Sequence, residues 1–242
     1  KDMIKAGAKK VIIAARRIDE LERVKSECAD PSRIRVFRLD LSNPNNVLEA
    51  CTELFNQEAV DIIINNGGLS QRDDFEDMKY DVCEFMMNVN CMAHIAVTKA
   101  ALAGMKSRKH GMIVNMLSLS GIVGLPSRTM YSASKFALSG FGKALRAEVK
   151  GDGIHVLNVY PSYIQTNVSA NAMLGSGQVF GKTDSNIGKG MPVAECSLKC
   201  MKAMHLKRTE FICADKLVYH SAPIIRLFPF IENLYCNSKY KS

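Results

Sequence analysis

Short apolar runs recur along this chain: Val11-Ile12-Ile13, Ile62-Ile63-Ile64 and Met112-Ile113-Val114, with Ile154 to Val159 apolar but for His155 and Asn158. A run of that length reads as a parallel strand covered on both faces. The stretches between them carry apolar residues at helical spacing. Ile18, Leu21, Val24 and Cys28 share one face, as do Val47, Ala50, Cys51, Leu54 and Phe55 behind an early-turn Pro44. Strands alternating with helices give an α/β fold on a doubly wound parallel sheet, with residues 1–242 as one domain. The predicted strands are Lys10 to Ala15, Ile34 to Leu39, Asp61 to Asn66, Met112 to Leu117, Ile154 to Val159 and Glu210 to Ala214. The longest predicted helices are Tyr80 to Lys106, extended or broken, Tyr131 to Val149, and Met191 to Lys207.

Tyr131 and Lys135 stand four apart near the start of a helix, so their side chains share a face. A free tyrosine titrates near 10, and a neighbouring ammonium favours its phenolate. Tyr131 is therefore a candidate general acid or base, with Lys135 expected to lower its pKa. Ser118 follows the apolar run that ends at Leu117. A strand's C-terminal end is where open α/β sheets hold their ligands. Gly67 and Gly68 close another strand and let backbone approach a ligand.

These residues, in this order, resemble the short-chain dehydrogenases/reductases over nearly the whole chain. Asn65-Asn66-Gly67-Gly68 stands where that family has Asn-Asn-Ala-Gly, Asn90 where it keeps an Asn, and Ser118, Tyr131 and Lys135 complete the tetrad. The runs Ala14 to Arg17, Leu21 to Lys25 and Asn65 to Arg72 carry a closer likeness to one subgroup, in which Gly at position 67 is usual. The resemblance implies an oxidoreductase with a Rossmann-like fold. Tyr131 would be the proton donor, Ser118 the hydrogen-bond donor to the carbonyl oxygen, Lys135 the ribose ligand and Asn90 the holder of a relay water. Asp40 and Leu41 would meet the adenine, Asn66 and Gly67 would border the cofactor, and Thr166 would meet the nicotinamide amide. Pro161-Ser162 stands where the family usually has Pro-Gly.

Arg16 follows the first strand. An acidic residue there holds a ribose 2′-OH, whereas Arg accommodates a 2′-phosphate, so the expected cofactor is NADP(H). No G-x-x-x-G-x-G run occurs in the sequence. The chain is thus expected to be N-terminally truncated, its first strand and phosphate-binding turn missing. That strand would lie between Val11–Ala15 and Asp61–Asn65, which would then either pair directly or stay apart.

The resemblance further implies a lipophilic carbonyl or alcohol as substrate, steroid- or retinoid-like. It implies a homodimer and endoplasmic-reticulum membrane association through an anchor not contained in this sequence. The tail, residues 215–242, mixes Ile224, Ile225, Leu227, Phe228 and Phe230 with basic residues, and suits a membrane surface or a cover for the substrate pocket. Residues 169–190 hold five glycines and suit a substrate lid. An alternative reading is a catalytically inactive product that acts only by binding partners. A nucleotide-sugar epimerase or dehydratase shares Y-x-x-x-K but needs a larger C-terminal domain.

The net charge of +8 comes from scattered Lys and Arg with no interleaved aromatics, which argues against nucleic acid. The eight Cys include no C-x-x-C pair and the five His no ligand spacing, so the thiols read as small hydrophobes and no metal site is expected. No apolar run reaches the roughly eighteen residues of a membrane span.

Overall fold

The computed structural model describes residues 1–240. In chain order the elements are α1 (Asp2–Lys5), β1 (Val11–Ala15), α2 (Ile18–Ser26), β2 (Ile34–Arg38), α3 (Pro44–Gln57) and β3 (Ile62–Asn65). They continue with β4 (Gln71–Arg72), α4 (Tyr80–Met87), α5 (Ala93–Arg108), β5 (Gly111–Met116), α6 (Thr129–Glu148) and β6 (Ile154–Pro161). The last are β7 (Met173–Leu174), α7 (Ser185–Gly188), α8 (Val193–His205), β8 (Glu210–Cys213), α9 (Lys216–Leu227) and α10 (Pro229–Tyr240). The final two residues of the predicted tail lie outside the described residues.

All of the main strands run parallel, in the order β3-β5-β6-β8. Successive residues of β5 and β6 feed opposite layers. Ile113 and Val156 pack with Ala101 and Met105 of α5 and Leu145 of α6. Val114, Leu157 and Val159 pack with Cys196, Cys200 and Met204 of α8. A strand covered on both faces needs apolar residues on both, which is why these strands do not alternate strictly and why their buried polar residues, Asn115 and Asn158, are paired. Each such Val or Leu contributes about 1.5–3 kcal/mol by its burial.

β1 and β2 form a second parallel pair, and among the described residues no ladder joins β1 to β3. The two neighbours of the expected first strand stay apart. Asp61 to Asn66 was expected to be buried on both faces, but β3 alternates: Ile63 and Asn65 are buried, while Ile62 and Ile64 are 38% and 43% exposed. Only the face against Ala101 and Met105 is covered.

The sheet's register carries a polar ladder. Asn65, Asn115 and Asn158 are cross-strand partners on β3, β5 and β6. Asn65 Nδ2 donates to Asn115 Oδ1 at 2.9 Å, and Asn115 Nδ2 donates to Asn158 Oδ1 at 3.0 Å. The ends close on Thr98 Oγ1 and on the Ser139 carbonyl, both at 3.1 Å. A one-residue slip would strand three amides in the core, so the ladder holds the register.

One element differs from expectation. Gln71 and Arg72, read as loop, form β4 and pair with Met173 and Leu174. A two-residue strand is shorter than any periodic window reveals. The Gly-rich stretch is tied down by β7 and by Gly175, whose N–H donates to Asp73 Oδ2 at 2.8 Å. The stretch from Tyr80 is broken: α4 and α5 are separated by a π turn, Asn88–Met92.

Candidate active site

A cavity of about 1110 Å³ opens at the C-terminal ends of β3, β5 and β6. Ser118, Tyr131 and Lys135 all line it, as do Asn66, Gly68 and Thr166. The sequence pattern explains the arrangement. Ser118 stands two residues past β5 and its hydroxyl accepts from Ser120 N–H at 3.1 Å, opening a tight turn. Tyr131 and Lys135 lie in the first two turns of α6, one above the other.

Burial pushes the Tyr131 phenol above its ordinary value, and the Ser118 hydroxyl and Arg128 guanidinium offset this only in part. The expected lowering by Lys135 is corrected here. Lys135 is itself 4% exposed and burial brings it down to about 8. Its Nζ donates to the Met116 carbonyl at 3.1 Å and stands 5.9 Å from the centre of the Tyr131 ring. Desolvation of both groups outweighs their mutual influence.

Asn90 is fully buried in the π turn. Its Oδ1 accepts from Leu69 N–H at 2.8 Å, and its Nδ2 donates to the Leu69 carbonyl at 2.9 Å and to Ser134 Oγ at 3.1 Å. It pins the loop that follows Gly67-Gly68. A side chain at Gly68 would put its first carbon 2.9 Å from Asn90 Oδ1 and 3.4 Å from Lys135 Nζ. At Gly67 the same carbon would meet Leu41 Cδ1 at 2.5 Å, so the Gly that replaces the family's Ala makes room for Leu41. His94 closes this corner, its Nε2 2.7 Å from the Gly67 carbonyl, and burial lowers its pKa to about 4.

Arg16, Asp40 and Leu41 lie outside the cavity wall, around the C-terminal ends of β1 and β2. Arg16 and Asp40 are exposed. Asp40 Oδ1 accepts from Ser42 N–H at 2.9 Å, which with the nearby Arg16 and Arg38 keeps its carboxyl below the usual range. Thr166 is exposed and its hydroxyl donates to the Ile164 carbonyl at 3.3 Å. Ser162 donates its N–H to the Cys213 carbonyl at 3.0 Å, so the Pro-Ser pair keeps a fixed backbone.

Sequence reasoning missed Ser134, His94 and the group in which Arg72 and Arg128 share the Asp184 carboxylate at the cavity rim. A His at i+4 from Asn90 was the one visible signal. The tail covers the cavity: Leu217, Val218, Ser221, Ala222 and Ile225 of α9 and Tyr235 of α10 line it, and Tyr240 Oη donates to Asp74 at 2.9 Å.

The model of the short chain dehydrogenase family matches residues 1–175. A Drosophila melanogaster dehydrogenase/reductase SDR family protein 7-like is 40% identical over 227 residues, covering 89% of this chain and 69% of the relative. Rattus norvegicus dehydrogenase/reductase SDR family member 7B is 35% identical, covering 93% of this chain and 71% of the relative. Homo sapiens dehydrogenase/reductase SDR family member 7 is 38% identical over 173 residues, 68% of this chain and 51% of the relative. The chain thus spans about two thirds of the length of the fly and rat proteins and half of the human one. Among solved structures, a short-chain dehydrogenase from Streptomyces avermitilis superposes with a TM-score of 0.81 at 20% identity, over 100% of this chain and 93% of that one. One from Sphingobium yanoikuyae in complex with NADPH gives 0.74 at 21% identity, over 87% of this chain and 80% of that one.

Proposed function

Because this chain belongs to the short-chain dehydrogenase/reductase family of oxidoreductases, we propose that it transfers a hydride between NADP(H) and a lipophilic carbonyl or alcohol, with Tyr131 as proton donor. One observation carries the reading: Ser118, Tyr131 and Lys135 converge on a single cavity whose wall is otherwise largely apolar, with Val123, Leu125, Ile187 and Ile225 among its side chains. Apolar lining with a few convergent polar groups is the usual form of a small-molecule site. It favours a steroid- or retinoid-like substrate.

The residues fit a nicotinamide and its ribose. Gly68 leaves bare backbone on that wall, Asn66 and Thr166 border it, and Lys135 keeps two N–H donors beyond the one given to Met116. Arg16, exposed at the end of β1, is the candidate partner of a 2′-phosphate. When bound, the nicotinamide supplies or accepts the hydride. Tyr131, kept protonated by burial, gives its proton to the carbonyl oxygen, and Ser118 hydrogen-bonds the same oxygen. Lys135, near 8, stabilises the phenolate left behind and restores its proton. Asn90 holds Leu69 in place and keeps one Oδ1 lone pair for a relay water.

The same reading makes the protein a homodimer at the endoplasmic-reticulum membrane. Leu227, Phe228, Phe230 and Leu234 of the tail are exposed and support contact with a membrane surface. No helix among the described residues is long and apolar enough to cross a membrane.

The test is a fluorescence titration of the chain with NADPH and NADH, followed by NADPH consumption with steroid and retinoid carbonyls. Tyr131→Phe is expected to lose about 10²–10⁴-fold in turnover while keeping cofactor affinity. Arg16→Asp is expected to shift preference toward NADH. A chain that binds neither cofactor would overturn the proposal and leave the partner-binding reading.

A further inference from the structure

We infer that Cys196, Cys200 and Cys213 form a binding site for one soft cation, Cu(I), on the wall of the central cavity, with the Met191 thioether beside it. Cys196 and Cys200 are four apart on α8 and share a face; Cys213 ends β8 against that face. Cys213 Sγ stands 3.5 Å from Cys196 Sγ, and Cys196 Sγ 4.0 Å from Cys200 Sγ. All three sulfurs lie within 4.8 Å of one another. Thiolates around one ion at a metal–sulfur distance of roughly 2.3 Å stand roughly 3.7–4.0 Å apart, so the spacing needs little adjustment. Met191 Sδ lies 3.9 Å from Cys213 Sγ, a fourth soft donor.

These thiols sit in the apolar layer of Val114, Leu157, Val159 and Met204, where three small hydrophobes would fill the same space without turning their sulfurs to one point. The sulfurs of Cys196, Cys200 and Cys213 already turn toward one another. Thiolate is the ligating form. Cys196 and Cys200 line the cavity, which gives an ion its path. A thiolate and thioether set without imidazole or carboxylate selects Cu(I) over harder cations, and structural zinc takes four Cys or His ligands. Binding is not a redox step: Cu(I) stays Cu(I), three Cu–S bonds form, and the thiol protons leave to solvent.

The inference does not depend on hydride chemistry. The test is anaerobic titration of the reduced chain with Cu(I) against a chromophoric Cu(I) chelator, with the thiolate-to-copper ultraviolet band as a second readout. One equivalent is expected to be withheld from the chelator, and the thermal transition to rise. Cys200→Ser and Cys213→Ser, checked for fold by circular dichroism, are expected to lose affinity by more than about tenfold, the least that even outer-shell changes cost at metal sites. Cys51→Ser and Cys83→Ser, on other elements, are expected to change nothing. Copper taken wholly by the chelator, or retained equally by every variant, would overturn the site. Tighter retention of Zn(II) against a matched chelator would overturn the choice of copper.

Discussion

Asn90 Nδ2 donates to Ser134 Oγ at 3.1 Å, and that hydroxyl donates onward to the Tyr131 carbonyl at 2.8 Å. The π turn and the helix that carries Tyr131 are thereby joined through one serine. Ser134→Ala leaves a buried Asn90 N–H without a partner, which costs about 1–3 kcal/mol. Urea unfolding is expected to show a lower midpoint at unchanged slope. A cycle with Asn90→Ala is expected to give a coupling of about 0.5–3 kcal/mol. Strict additivity would separate the two residues.

A methyl at Gly142 would lie 2.3 Å from Asn158 Oδ1 and 2.7 Å from Asn115 Nδ2. The helix touches the asparagine ladder through a bare Cα, and Gly142→Ala must push the ladder apart. A loss of about 1–3 kcal/mol is expected, as for overpacking elsewhere. Gly140, two residues before Gly142, meets nothing within 4 Å, and Gly140→Ala is expected to gain up to about 1 kcal/mol from helix propensity. Chemical denaturation of the pair settles it: equal effects would remove the ladder from the account.

His94 is buried and neutral, with its pKa near 4 in the fold against 6.5 when free. Between those values the unfolded chain binds the proton and the folded chain does not. The stability is therefore whole above pH 6.5 and falls as the pH drops toward 4, by on the order of 3 kcal/mol. His94→Gln, which can still donate to Gly67, is expected to flatten that part of the melting-temperature profile. An unchanged acid slope would assign the effect to other groups.

Ala133, Phe136, Ala137, Gly140 and Ala144 form an exposed stripe along α6. Small residues let two such helices approach closely, and this is the face expected to meet a second copy about a two-fold axis. Light scattering at micromolar concentration is expected to give a dimer for the parent and a monomer for Ala137→Arg. A monomeric parent would exclude this face.

Much of this was legible in the sequence because it was local. The mostly apolar runs around Ile113 and Val156 gave the buried strands, and the four-residue step from Tyr131 to Lys135 gave one cavity wall. What escaped depends on distance in the chain. Asn65, Asn115 and Asn158 lie on three separated strands, and only register makes them a ladder. Arg72 pairs with Leu174 across a hundred residues. The sign of the Tyr131 shift escaped for another reason: a helical face shows which charge is near, not how much water the fold removes. The Cys196–Cys200 step was visible, but Cys213 joins it only because β8 ends beside α8.

The π turn at Asn88–Met92 carries an evolutionary consequence. Such a turn holds one residue more than regular helix needs, so a single-residue deletion there would leave α4 and α5 as one unbroken helix with better backbone geometry. The flanking helices would keep their phase, because the turn absorbs its extra residue locally. What would be lost is the bulge itself, which holds the Asn90 amide against Leu69. A drift toward the more regular helix is thus closed to this lineage one deletion at a time, and chain length between Tyr80 and Arg108 is expected to tolerate substitutions more readily than gaps.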